Sequence, residues 1–169
     1  MATSQEIQRT NIINTIEAMN MVSFAMNDVP KIMVNLGMPK MSYFIGGSIA
    51  AMLHGINLSR TPHDIDIIVR AEDFDRIKRE LEDSFYYKVL PIDPYDKYDD
   101  KGNILHVAFK TAESPQLDIL CNKPLEVETM RDRSIKLSTE TVPRIASLQE
   151  LIKAKKYFNR AKDKEDLIL

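Results

Sequence analysis

The segment Asp64–Val69, with the sequence DIDIIV, constrains the fold of this chain more than any other stretch. It alternates between polar and apolar residues at first and then becomes fully apolar, which is typical of a central β-strand. Shorter apolar segments elsewhere in the chain are candidates for the strands that pair with it. We predict these further strands at residues 42–45, 86–90, 104–110 and 116–120.

Segments with helical periodicity precede and follow these strands in the sequence. Thr3 and Glu6 have the spacing of a capping box and begin a long amphipathic helix that breaks near Asp28 and Pro30. A second, short helix should run to about residue 36 and end at Gly37. Further helices are predicted at residues 49–54, at 73–83, from 147 onwards and at the end of the chain.

Helices before and after the strands indicate an α+β or α/β domain. A length of 169 residues suits one domain with a helical appendage. We therefore assign residues 1–40 to an N-terminal helical extension and residues 41–169 to the domain itself. Six of the nine methionines lie between residues 19 and 41, and we interpret them as core filler rather than as an adaptable partner surface.

Composition and charge exclude several classes of protein. A net charge of -2 gives no whole-chain signature of nucleic-acid binding. The single Cys121 rules out an internal disulfide and an all-cysteine metal site, and it fits a reducing compartment. The N-terminus lacks the basic start and apolar run of a secretory signal, and no stretch is long enough to cross a bilayer. We expect a cytoplasmic protein without a membrane partner.

Two carboxylates on the central strand carry the first chemical signal. Asp64 and Asp66 are two residues apart, so both side chains emerge on one face while Ile65 and Ile67 enter the core. Two carboxylates in so apolar a strand are costly unless something neutralises them. A hard divalent cation such as Mg²⁺ does this naturally. The alternative is a solvated face of an edge strand.

Two further features can also be interpreted either as part of a functional site or as ordinary structure. Gly46-Gly47-Ser48 lies between a predicted strand and a helix, where backbone N–H groups form a cradle for anions. Alone, a Gly-Gly pair is usually only a turn. Asp118 in the strand QLDIL is a third carboxylate between apolar residues, and alone it reads as a strand-end aspartate.

In chain order these features resemble the nucleotidyltransferase fold that is shared by DNA polymerase β, the aminoglycoside and lincosamide nucleotidyltransferases and the minimal nucleotidyltransferases. The match runs through FIGGSIAAMLHG and RTPHDIDIIV to LDIL. It is most similar to the branch of the AbiEii-type toxins, which adds a helix with a lysine, an arginine and a K-D-x-x-D segment. The matching residues in LIKAKKYFNRAKDKED are Lys155, Arg160, Lys162, Asp163 and Asp166.

The resemblance implies a mixed β-sheet flanked by helices and the transfer of an NMP from an NTP, with Mg²⁺ or Mn²⁺ as cofactor. It implies that Asp64 and Asp66 bridge two metal ions and that Asp118 holds only the ion that activates the acceptor. Phosphate ligands would come from the turn, from Lys155 and from Arg60. The family usually has Arg-x-Thr-x-Asp here, and this chain has RTPHD, with the threonine displaced by one.

Alternatives stay open for these phosphate ligands. Lys155 also reads as one of several solvated lysines on a helix, and Arg60 as a solvated loop residue. Asp163 and Asp166 are expected to orient Lys155 or Arg60, or to cap the last helix, rather than to bind metal. The histidines at 54, 63 and 106 are too scattered in the sequence for a zinc site.

The acceptor is not identified by the sequence. A tRNA end, a protein hydroxyl and a small molecule such as an antibiotic are the candidates, and membership of a toxin branch favours tRNA or protein. An antitoxin or a second copy of the chain is the expected protein partner. The alternative function is a catalytically silent nucleotide-binding module that acts through a protein partner.

Overall fold

The structure of the protein, a computed structural model, describes residues 1–38, 42–56, 60–92, 104–122, 143–158 and 161–168. Its helices are α1 (Ser4–Asn27), α2 (Val29–Asn35), α3 (Gly47–Leu53), α4 (Ala71–Asp83), α5 (Leu148–Phe158) and α6 (Ala161–Ile168). Its strands are β1 (Tyr43–Ile45), β2 (Asp64–Val69), β3 (Lys88–Leu90), β4 (Ile104–Lys110), β5 (Gln116–Asn122) and β6 (Arg144–Ile145). The predicted polar connection at residues 93–103 lies outside the described residues.

The strands form one mixed sheet in the order β3-β4-β5-β2-β1-β6. Strand β2 pairs in parallel with β5 and antiparallel with β1, and β6 joins β1 in parallel. Strand β4 runs antiparallel to both β3 and β5. This arrangement confirms the predicted α+β (α/β) fold class, in which helices flank a mixed sheet. It also confirms that β2 has a neighbour on each side, whereas β6 was missed because two residues display no periodicity.

The two faces of the sheet differ in polarity, because alternate residues of a strand point to opposite sides. Asp66 lies opposite Asp118 across the β2–β5 pair, and Ile67 lies opposite Ile119 there and opposite Ile45 across the β1–β2 pair. The Ile67 side of these three strands is hydrophobic and buried. It consists of Tyr43, Ile45, Ile65, Ile67, Val69, Leu117, Ile119 and Cys121.

Helix α4 packs on the β3, β4 and β5 part of the sheet. Phe74, Ile77 and Leu81 are buried on one side of this helix, as the sequence predicts. Helix α2 and the end of α1 contribute further side chains, such as Val29 and Met33, to the same hydrophobic core. The division of the chain near residue 40 stays a prediction.

Helix α1 is confirmed in extent but differs from the prediction in burial. Its capping box is present, because the backbone N–H of Thr3 donates to Glu6 Oε2 at 2.6 Å and that of Glu6 donates to Thr3 Oγ1 at 3.2 Å. The apolar side chains of Ile7, Ile16 and Met19 are at least half exposed, so the described part of the chain leaves much of this surface uncovered. Among the described residues, no helix combines the length and the apolar character that a membrane span requires.

Arg76 on α4 ties this helix to the end of α2. Its Nη1 donates to the carbonyl oxygen of Leu36 at 2.7 Å, and its Nη2 lies 3.1 Å from the sulfur of Met38. The last carbonyls of a helix have no donor within the helix, so this guanidinium caps α2 from a neighbour. Gly37 follows with a φ of 74°, the left-handed conformation predicted for the residue that ends this helix.

Replacement of Arg76 should therefore destabilise the fold. We expect Arg76→Leu to lower the free energy of unfolding by about 1–2 kcal/mol, because the Leu36 carbonyl loses its donor. The matched control is Arg79→Leu on the exposed side of the same helix, for which we expect a change of about 0.5 kcal/mol or less. Urea denaturation measures both, and equal losses in the two variants would contradict the capping role.

Candidate metal centre

The pairing of β2 with β5 brings three aspartates together. Asp64 and Asp66 lie on β2, and Asp66 is directly opposite Asp118 of β5. One carboxylate oxygen from each of the three lies within 4.8 Å of the others. The three residues share one face of the sheet because the strand period is two and the register places like positions side by side. Separate stretches of sequence thus converge on one point.

Asp118 is the most enclosed of the three, with 1% of its surface exposed. Burial, the largest single influence, raises the pKa of this carboxyl. Hydrogen bonds with His106, Asp64 and Gln116 and the electrostatic attraction of His106 together act in the opposite direction, and the pKa of Asp118 lies below its usual value. The charged form of Asp118 is thus favoured despite its burial.

The donor set fits a hard divalent cation. All three candidate ligands are carboxylate oxygens, which Mg²⁺ and Mn²⁺ prefer. The three carboxylate oxygens lie within 4.8 Å of one another, and a cation between them would offset their mutual repulsion. The arrangement can thus hold a metal ion through Asp64, Asp66 and Asp118, as the sequence suggests.

The Gly46–Ser48 turn lies against this cluster. The N–H of Gly46 donates to the carbonyl oxygen of Asp66 at 3.0 Å, and α3 begins at Gly47. Gly47 has a φ of 59°, and a Cβ built on it would collide with Asp66 Oδ2. Glycine is thus required here twice, by the backbone conformation and by the carboxylate. Ser48 follows as a half-buried residue of the first helical turn.

The other predicted phosphate ligands are on separate elements. Lys155 lies on α5, which contacts α3, and its Nζ is 3.9 Å from Oδ1 of Asp163 on α6. Asp163 is 1% exposed, so this ammonium group has a buried counter-charge that restrains it. Arg60 is half-buried, four residues before Asp64. Arg160 and the side chain of Asp166 lie outside the described residues, and all these roles stay predictions.

Two neighbours of Asp118 were not recognised in the sequence. His106 Nε2 is 2.8 Å from Asp118 Oδ1, and Gln116 Nε2 donates to the same oxygen at 3.1 Å. Gln116 precedes Asp118 by two residues and therefore shares its face, which the strand period alone would have revealed. His106 could have been found only by counting the register back across the β4–β5 hairpin, where its pairing partner is Leu120.

Among the comparisons with known proteins, the comparison with solved structures found matches. No family model and no curated protein matches the chain. A candidate nucleotidyltransferase from Thermotoga maritima overlaps with a TM-score of 0.48 at 16% identity, over 75% of this chain and 80% of that one. A candidate nucleotidyltransferase from Helicobacter pylori overlaps with a TM-score of 0.36 at 16% identity, over 91% of this chain and 59% of that one. Overlaps of this size leave the function to be inferred from the site itself.

Gly47 offers a direct test of how closely the turn and the carboxylates are coupled. We expect Gly47→Ala to weaken Mn²⁺ binding by tenfold or more, on the order of the loss when a ligand's supporting contact is removed. The matched control is Gly55→Ala, because Gly55 also has a positive φ, of 84°, but no atom within 4 Å of its Cβ position.

Both glycine variants should lose roughly 1–2 kcal/mol of folding free energy through the left-handed backbone alone. Only Gly47→Ala should lose metal affinity in addition. The free Mn²⁺ signal in electron paramagnetic resonance measures that affinity, and urea denaturation measures stability. Wild-type Mn²⁺ affinity in folded Gly47→Ala would show that the turn and Asp66 are not coupled.

Proposed function

We propose that this protein is a metal-dependent nucleotidyltransferase, which moves a nucleoside monophosphate from an NTP to an acceptor hydroxyl and releases pyrophosphate. The observation that carries the proposal is the convergence of Asp64, Asp66 and Asp118 within 4.8 Å beside a glycine turn. Carboxylates next to a turn that opens a helix are suited to a metal-bound triphosphate. The sequence motifs that run through the same residues support this proposal.

The three aspartates have different parts in it. Asp64 and Asp66 are adjacent on one strand face and would hold both cations, whereas Asp118 approaches from β5 and would hold one. When bound, the divalent ions neutralise phosphate charge and lower the pKa of the acceptor hydroxyl. Burial and two hydrogen bonds fix the place of Asp118, so its carboxylate would meet the cation already oriented.

Positive and dipolar groups would bind the triphosphate. Backbone N–H groups at the start of α3 have no acceptor within the helix and suit a phosphate oxygen. Lys155 would add a point charge at the β or γ phosphate, and its salt bridge to Asp163 limits the rotamers that it explores. Arg60 is the remaining candidate for a bidentate phosphate contact.

The chemical step conserves atoms and charge in a simple way. The acceptor oxygen attacks the α-phosphorus in line with the bridging oxygen that leads to the β-phosphorus. The bond from the α-phosphorus to that bridging oxygen breaks, and pyrophosphate departs with the electron pair. The acceptor hydroxyl gives its proton to water. The protein contributes alignment and charge stabilisation rather than a covalent intermediate.

A finer proposal concerns the acceptor. The AbiEii-like order of Lys155, Lys162 and Asp163 in the sequence supports a toxin of that branch, with a tRNA end or a protein hydroxyl as acceptor and an antitoxin as partner. Incubation of cell lysate with α-labelled NTP, followed by separate digestion with ribonuclease and protease, distinguishes these two acceptors. Label in neither polymer but in small molecules would contradict this assignment and favour an antibiotic-like acceptor.

A thermal-shift experiment with each NTP, with and without Mg²⁺, is the first test of the function. We expect at least one NTP to raise the melting temperature only when Mg²⁺ is present, because the carboxylates repel a triphosphate without it. The absence of any Mg²⁺-dependent shift would contradict the proposal. Binding of Mg·NTP without label transfer in any lysate would favour the alternative, a silent nucleotide-binding module.

Substitutions of the aspartates separate binding from chemistry. We expect Asp64→Asn to impair both Mg²⁺-dependent nucleotide binding and transfer, because Asp64 serves both ions. Asp118→Asn should leave Mg·NTP binding nearly intact and lower transfer by about 10²–10³-fold, typical of the loss of one transition-state stabiliser. Isothermal titration with a slowly hydrolysed NTP analogue and label transfer provide the two readouts. Wild-type transfer by Asp118→Asn would show that its assigned role is wrong.

Substitution of Lys155 tests the triphosphate contact. We expect Lys155→Ala to weaken NTP binding more than NMP binding, because the ammonium group would meet the β or γ phosphate. Lys156→Ala on the exposed side of the same helix is the matched control and should change neither affinity. Equal weakening of NTP and NMP binding by Lys155→Ala would return this residue to the class of solvated surface lysines.

A further inference from the structure

The hydrogen bonds at Asp118 leave its two carboxylate oxygens in different environments. His106 Nε2 is 2.8 Å from Oδ1, and Gln116 Nε2 is 3.1 Å from the same atom. A carboxylate oxygen has about two lone-pair directions, so two N–H donors fill the capacity of Oδ1. Oδ2 is then the oxygen of Asp118 that is left to bind a cation.

We propose that His106 is a positioning residue of the metal centre, which with Gln116 holds Oδ1 of Asp118 and turns Oδ2 towards the cation shared with Asp64 and Asp66. This inference rests on the proposed function, since it assigns a role within that site. His106 does not touch the substrate in it. It acts through Asp118 by fixing the carboxylate plane, as partners of metal ligands do in other sites.

The surroundings of His106 support a role in orientation. Its side chain is 10% exposed, so water competes little for the hydrogen bond. Ala108, the residue opposite Asp118 on β4, is small and buried, and packing by a methyl group alone would leave the carboxylate free to rotate. The histidine two residues earlier on the same strand face reaches this carboxylate diagonally across the pair.

The donor that matters is Nε2, and this decides the design of the variants. The amide nitrogen of a glutamine at position 106 can occupy nearly the same place as Nε2, whereas the shorter asparagine cannot reach it. Leucine fills similar space with no donor. If the hydrogen bond is what matters, His106→Gln should rescue the function that His106→Leu and His106→Asn lose.

The experiment is a Mn²⁺ titration of the full chain with the α,β-methylene analogue of the NTP that gives the largest thermal shift. Electron paramagnetic resonance of free Mn²⁺ counts the bound ions, and Asp118→Asn identifies the ion that depends on Asp118. We expect His106→Leu and His106→Asn to weaken the binding of that ion by about 10–100-fold. His106→Gln should stay within a few-fold of wild type, and nucleotide affinity should be unchanged in all three.

Two controls separate orientation from folding. His54→Leu removes another histidine hydrogen bond of 2.8 Å, between Nε2 and the backbone oxygen of Ala146, and should lower stability without weakening Mn²⁺ binding. Gln116→Met removes the donor at 3.1 Å from Oδ1 and should weaken binding of the same ion by less than His106→Leu, because the closer donor, His106 Nε2 at 2.8 Å, remains. This variant also tests the inference if His106→Leu does not fold.

The experiment distinguishes a failure of this inference from a failure of the proposed function. If the wild-type protein binds no Mn²⁺ that Asp64→Asn removes, the proposed function itself fails. If it binds such Mn²⁺ but His106→Leu and Gln116→Met bind as tightly as wild type, only the positioning role is overturned. It is also overturned if His106→Gln is as weak as His106→Leu, because shape rather than the donor would then be responsible.

Discussion

The parallel register of β2 with β5 is the constraint on which the site depends. With Asp66 opposite Asp118, all three carboxylates emerge on one face, and the buried Ile65, Ile67 and Ile119 emerge on the other. A shift of one residue would send Asp118 into the hydrophobic core and replace it at the site with an apolar side chain. The same hydrophobic side chains that hold the sheet together therefore also specify which acidic groups meet.

The close approach of the three carboxylates lowers the stability of the fold and at the same time prepares the cluster to bind a cation. Three acidic groups held close together repel one another, and the packing of the sheet together with the hydrogen bonds of His106 and Gln116 to Asp118 keeps them in place. A cation that binds the folded chain and not the unfolded one contributes stability in proportion to its affinity and concentration. The fold thus maintains a repulsion that a bound cation would relieve.

The sequence predicts this fold in its local features and less well in its long-range ones. The strand period places Asp64 and Asp66 on one face of β2, and the helical period places Phe74, Ile77 and Leu81 on one side of α4. Both periods depend only on residues that are close in sequence. Which strand pairs with β2 depends on tertiary packing, so Asp118 was assigned through the family resemblance rather than by geometry.

The same limit explains what the sequence did not reveal. His106 meets Asp118 through the register of a hairpin, and the exposed apolar residues of α1 follow a helical period whether or not anything covers them. Arg76 reaches the end of α2 from 40 residues away, which no local pattern indicates.

The contact between Gly47 and Asp66 has a consequence for relatives of this protein. Glycine at this position, the first of α3, is required by a side chain on β2 as well as by the backbone, so the two positions constrain each other. A descendant that lost the carboxylate at position 66 would be released from the collision and would retain only the backbone preference. Loss of glycine here together with loss of the acidic residue there would thus identify, from sequence alone, members of the lineage that no longer build this carboxylate cluster while they keep the fold.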